Sequence, residues 1–162
     1  DEKHAYRFRH EDGRKRDLMV ADHLPSRMEP RMDRRPAFAA PSGEQAIRRR
    51  DSYLLQFASG ASAQIGVPDE LGALVAKGAA WLVDQRDRRR HLDDSAVLLA
   101  CVLDASELDY ESMSKNDRKR IRAATDELLH PALISWVNVD PADRERGMFN
   151  LRLIRQVLGF PD

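Results

Sequence analysis

Eight consecutive residues near the middle of the chain, Ala96-Val97-Leu98-Leu99-Ala100-Cys101-Val102-Leu103, are apolar without interruption. A helix with no polar face must be buried on most sides, so the rest of the chain has to wrap around this one. Asp93 and Asp94 read as its opening caps, which predicts a helix over Asp94–Leu103. Leu108–Met113 reads as a short middle helix or turn with Tyr110 and Met113 inward. Ser114 with Asp117 three residues later has capping-box spacing and opens a second helix. In that helix Ile121, Ala124, Leu128 and Leu129 form the apolar stripe, and Lys115, Arg118, Lys119 and Arg122 share the opposite face. Alternation then predicts a two-stranded hairpin, Leu133–Val139 and Met148–Ile154. Asp140-Pro141 and Gly147 bound its loop, with Arg144 and Arg146 at the tip and Trp136 half-buried on the face away from Val137.

The 162 residues suffice for one ordinary domain, or a small domain with a long extension. Lys+Arg and Asp+Glu both number 27, so any electrostatic footprint must be local. Residues 1–50 carry 13 basic and 9 acidic side chains, against 14 and 18 in residues 51–162. The lone cysteine, Cys101, has no intrachain disulfide partner and is expected as a buried thiol in a reducing compartment. No apolar run approaches the roughly 20 residues that span a bilayer, and no secretory signal is visible, so the chain is expected in the cytoplasm, away from membranes. It opens on Asp1 rather than methionine, which reads as a trimmed N-terminus.

The whole chain reads as two regions, 1–43 and 44–162. Residues 4–24 are expected as a hairpin: Tyr6 and Phe8 alternate with Arg7 and Arg9, Asp12-Gly13 turns the chain, and Asp17–Ala21 returns. Its aromatic residues and arginines suit either a nucleic acid or an ordinary strand pair with one face buried. Pro25, Pro30, Pro36 and Pro41, interleaved with arginines, then predict an extended arm with Met28, Met32 and Phe38 as docking residues. A helix is expected over Glu44–Ala58, capped by Ser42 and ended by the Ser59–Ser62 turn. The clearest helix is Pro68–Arg88, with Pro68 at its first position and Asp69 and Glu70 in its first turn. Its small residues, among them Gly72, Gly78, Ala76 and Ala79, predict close packing within the domain or across a dimer. Arg86, Arg88, Arg89 and Arg90 stand at its C-terminal end.

Helix, helix, then hairpin over residues 92–154 resembles the end of a winged helix-turn-helix. The fold class expected is therefore mainly α with small β-hairpins: a winged-helix-like C-terminal domain preceded by helices and an extended N-terminal arm. The resemblance implies a non-catalytic protein that binds double-stranded DNA in transcription, replication or a mobile-element process. Lys115, Asn116, Arg118, Lys119 and Arg122 would contact the groove and phosphates, with Arg144 and Arg146 assisting from the wing. The alternative is a non-catalytic protein-interaction subunit of a larger nucleoprotein assembly, oligomerising through the N-terminal arm and helix 68–88. No P-loop, Rossmann glycine pattern or serine elbow is present, and His4, His10, His23, His91 and His130 lack metal-ligand spacing. No enzyme, cofactor or metal is expected.

Overall fold

The computed structural model describes residues 4–32 and 34–161; the trimmed start read at Asp1 lies outside them. It is a mixed α/β chain with six α-helices and eight short strands among the described residues. Strands β1 (Arg7–Arg9) and β2 (Lys15–Asp17) form the expected Asp12-Gly13 hairpin, with Gly13 at a φ of 83°. The return strand ends there. Strand β3 (Met19–Ala21) pairs elsewhere, and the proline-rich stretch is not an extended arm. It folds back as β4 (Arg31–Met32), β5 (Arg35–Pro36) and β6 (Phe38–Ala40); β4 pairs with β5, and β6 lies parallel to β3. Ala5 and Ala37 bridge these segments and are buried. The Asp22 carboxylate accepts from the Ser42 and Glu44 backbone N–H groups at 2.7 and 2.9 Å. It thereby caps helix α1 (Gly43–Arg48), the task expected of Ser42.

The helix expected over Glu44–Ala58 stops at Arg48. Residues 50–68 form a long antiparallel hairpin instead, β7 (Arg50–Gln56) with β8 (Ser62–Pro68). Pro68 therefore ends a strand, and Asp69 caps helix α2 (Glu70–Val83), its side chain accepting from Gly72 N–H at 2.6 Å. Helix α3 (Arg88–Cys101) starts six residues before the expected Asp94, so Arg88, Arg89 and Arg90 occupy a first helical turn rather than a last one. Asp93 and Asp94 sit inside it, accepting from Ser135 Oγ at 2.6 Å and Lys77 Nζ at 2.5 Å. Helix α4 (Lys115–Leu128) begins at Ser114 with both halves of the capping box formed.

The largest departure lies at the C-terminal end. The two strands expected over residues 133–154 are helical: a single turn, α5 (Ile134–Val137), and the long α6 (Pro141–Val157). Asp140-Pro141 is an N-cap and first helical residue, Asp140 accepting from Ala142 N–H at 2.9 Å. No strand, and hence no wing, lies between residues 92 and 154. Gly147 lets α6 cross α3 closely: a Cβ there would lie 2.9 Å from the Trp136 ring and 3.1 Å from the Ala100 nitrogen. Trp136 is buried, not half-exposed, and donates from Nε1 to the Leu128 carbonyl at 2.8 Å. The core is shared by α2, α3, α4 and α6, with Leu74, Val75, Leu99, Ile121, Leu128 and Ile154 essentially inaccessible. Cys101, expected inside, is exposed one residue before buried Val102. The tail folds back, Phe160 packing on the core and Arg155 bonding the Pro161 carbonyl.

The small residues of α2 serve packing within the domain. A Cβ on Gly78 would meet the Arg120 carbonyl oxygen of α4 at 2.1 Å, a contact with backbone that no side-chain rotation relieves. Gly78→Ala should therefore destabilise by about 2–3 kcal/mol, against the usual sign for Gly→Ala in a helix. Urea unfolding of the two proteins side by side reads this directly.

The turn between α2 and α3 rests on Asp84. Its carboxylate accepts from the Arg86 and Asp87 N–H groups at 2.8 and 3.3 Å and contacts His91 Nε2 at 3.0 Å. These bonds, that from Arg86 foremost, hold it below the ordinary carboxylate value of 3.8. A depressed folded pKa contributes stability that is complete above 3.8 and is lost as pH falls through the lower folded value. Thermal melts from neutral pH downward should show this acid-side loss reduced in Asp84→Asn, which starts from a lower melting temperature at pH 7.

Candidate functional site

The seven residues expected to touch nucleic acid divide sharply. Lys115, Asn116 and Lys119 are exposed and Arg118 is half-buried on the first turns of α4. Among the described residues these four side chains have no hydrogen-bond or ion-pair partner. Arg122 faces Asp126 at 3.5 Å and lies 5.9 Å from the Phe160 ring. The other two are structural. Arg144 donates from Nη2 to the Val137 and Val139 carbonyls, both at 3.1 Å. Arg146 donates to the Ala100 carbonyl at 2.7 Å and to Asp143 at 2.7 Å. They satisfy the carbonyls that α5 and α3 leave open at their C-terminal ends, as cations there do. Neither is free to grip a phosphate from a wing.

The surface that sequence reasoning missed is the β7–β8 hairpin. Every residue from Arg50 to Val67 is exposed, on both faces. Residues 52–67 contain no Asp, Glu, Lys, Arg or His, in a chain of which 33% is charged. The register pairs Tyr53 with Ile65 and Leu55 with Ala63, so Tyr53, Leu55, Phe57, Ala63, Ile65 and Val67 share one face. Tyr53 and Phe57 are each 51% exposed, and Leu54 on the opposite face is 65% exposed. The tip is a three-residue loop with Gly60 at a φ of 82° and two closing bonds, Phe57 N–H to Ala61 O and Gly60 N–H to Phe57 O, both 2.9 Å. The strands are well specified although no core supports them.

What supports them is the base. Arg49, directly before β7, is buried to 8% exposure. Its Nε donates to both Asp69 carboxylate oxygens at 3.2 and 3.1 Å, Nη2 donates to the Asp109 carbonyl at 2.8 Å, and Nη1 donates to Ser112 Oγ. The Asp69 N–H returns a bond to the Arg49 carbonyl at 2.7 Å. Asp109, reached by Arg49 Nη1 at 3.7 Å, is held below the ordinary carboxylate range, first by the Ser112 hydroxyl. One guanidinium thus ties the foot of the hairpin to the cap of α2 and to the loop before α4. The cavity around it is lined by Gln45, Arg48, Arg50, Asp51 and Ser112, polar groups that anchor the hairpin.

Arg49→Met should cost roughly 3 kcal/mol, since it leaves the Asp69 carboxylate and the Asp109 carbonyl without their donor. Amide exchange should locate the loss: Asp69 N–H, protected by the Arg49 carbonyl, should exchange much faster in the variant.

No family model matches this chain, and neither a curated protein nor a solved structure matches it.

Proposed function

We propose that this chain is a non-catalytic protein-interaction subunit of a larger assembly, with the β7–β8 hairpin as its docking arm. One observation carries the reading: an ordered hairpin, uncharged over residues 52–67, is held away from the core with its apolar face in water. An isolated two-stranded hairpin is marginal in water, and an apolar patch on a monomer marks a binding surface. With no cation between Ser52 and Val67 the arm has nothing to set against phosphate, which directs it to protein. Anchoring at Arg49 presents the arm already ordered, which lowers the entropic cost of docking. This reading keeps the chain in the cytoplasm, where an exposed lone thiol such as Cys101 stays reduced.

A second reading follows from Lys115, Asn116, Arg118 and Lys119, whose unpartnered side chains on α4 suit a phosphate backbone. Double-stranded DNA would be the partner there, without a wing to assist.

Two variants separate the readings. Tyr53→Lys/Ile65→Glu replaces an apolar cross-strand pair by an ion pair, keeping the hairpin and removing its apolar face. Arg118→Glu/Lys119→Glu reverses charge on α4. Proteins that copurify stoichiometrically with the tagged chain from its own cells should be lost with the arm variant and kept with the α4 variant. The same complex recovered with the arm variant would sink the proposal. Salt-sensitive binding to duplex DNA, present in wild type and abolished by Arg118→Glu/Lys119→Glu, would establish the second reading instead.

A further inference from the structure

Resting on the reading of the hairpin as a docking arm, we infer that one occupant of the arm is a second copy of this chain, joined β7 to β7 antiparallel about Leu54. The argument starts from which backbone groups are free. Phe57 N–H bonds the Ala61 carbonyl at the tip, and Asp69 N–H bonds the Arg49 carbonyl at the base. Both pairs belong to the same register as Tyr53↔Ile65, so the odd-numbered residues of β7 turn their N–H and C=O groups toward β8. Ser52, Leu54 and Gln56 therefore point theirs outward, as do Ser62, Gln64 and Gly66 on β8. These groups exclude lipid as the occupant, because strand edges lowered into hydrocarbon would lose water without gaining a partner. They ask for another strand.

The two edges are not equivalent. β8 leads into α2 through Pro68, which has no N–H to offer, and packs at its foot against α1 and α2. Among the described residues β7 shows no such packing beyond β8, and past Arg50 and Asp51 at its foot it has no edge protection: no proline, no lysine, and no charge between Ser52 and Gln56. Every other copy of the chain presents the same edge. Pairing about Leu54 sets Ser52 opposite Gln56 and Tyr53 opposite Leu55 of the second copy, with Asp51 against Phe57 and Arg50 against Ala58. No like charges meet, and the outward groups of 52, 54 and 56 match one another in an isologous contact. The product is a four-stranded sheet whose apolar face continues across the junction. Each Phe57–Gly60 tip then reaches the base of the other arm. An edge of this length plus two tips buries on the order of 1,200 Å² in total, the small end of specific interfaces. A reversible dimer with micromolar dissociation is the expected result.

The test uses the purified full chain with Cys101→Ser, in sedimentation equilibrium from about 1 to 200 µM. The weight-average mass should rise from monomer toward dimer. Leu54→Pro removes an outward N–H that β8 does not use, so it should stay monomeric with an unchanged circular dichroism spectrum. Gln64→Pro makes the same change on the other edge and should dimerise like the parent. Nitroxides on Ala58→Cys should report a Cα separation of about 27 Å, eight residues of antiparallel strand. A parent that is monomeric throughout, a Leu54→Pro protein that dimerises like it, or labels in contact would overturn the pairing. A monomeric chain that still copurifies arm-dependent partners from cells would overturn this pairing alone and leave the docking reading standing.

Discussion

The architecture turns on the Arg49 guanidinium. A buried cation is costly unless its donors are matched, and here they are shared among Asp69, the Asp109 carbonyl and Ser112. The acceptors come from two other parts of the chain, so satisfying one side chain brings the hairpin foot, the start of α2 and the approach to α4 together. Asp69 serves two ends at once, binding Arg49 and capping α2 through Gly72. The change from strand to helix is therefore abrupt: Pro68 closes β8, and Glu70 already stands in the helix. The clamp and the packing of the β8 foot on α1 and α2 fix the direction of the hairpin, because the rest of its residues are in water.

The helical half meets the same requirement with different groups. α3 ends in carbonyls that have no helical partner, and α6 supplies the donors: Asn150 Nδ2 to Leu99 and Val102 at 3.0 and 2.8 Å, and Arg146 to Ala100. Gly147 lies between those two residues and permits the close crossing that brings them within reach. The cations of the chain are matched in number by its carboxylates. In the structure several are spent locally, as Arg7 on Asp17, Arg48 on Glu44 and Arg155 on Asp126. Exposed pairs such as the first two add little stability, but they cancel the charge that a nucleic-acid surface would need.

Caps and close crossings explain how far the sequence was legible. α4 was readable because Ser114 and Asp117 form a local capping box, and α2 because its acidic first turn and small residues agree with its surroundings. The segment 133–154 was misread because Val137, Val139, Phe149, Leu151 and Leu153 satisfy a period of two. The residues of α6 that are buried, Gly147, Asn150, Leu151, Ile154 and Arg155, follow a helical period, but two of them are polar and one is glycine. No hydrophobic count finds such a face. The first strand of the arm, β7, was misread as the end of a helix for the opposite reason. Leu54, Leu55 and Phe57 invite burial, and local pattern does not say that an apolar alternation will be left in water. Of the candidate site, Lys115, Asn116 and Lys119 keep the exposure expected of them and Arg118 is half-buried, whereas Arg144 and Arg146 serve as caps whose acceptors are remote or irregular.

An exposed apolar hairpin is a liability unless its use outweighs it. Fully burying a large apolar side chain gains about 1.5–3 kcal/mol, and Tyr53, Leu54, Leu55, Phe57 and Ile65 each forgo part of that here. The chain nonetheless specifies the arm firmly at both ends, through the Gly60 turn and the Arg49 clamp. A segment that merely failed to find the core would need neither. The turn fixes register, register fixes which backbone groups face outward, and the clamp fixes where they point. Those three settings are what a partner strand requires, and the absence of charge from Ser52 to Val67 leaves apolar burial, hydrogen bonding and shape as the terms by which a partner is chosen.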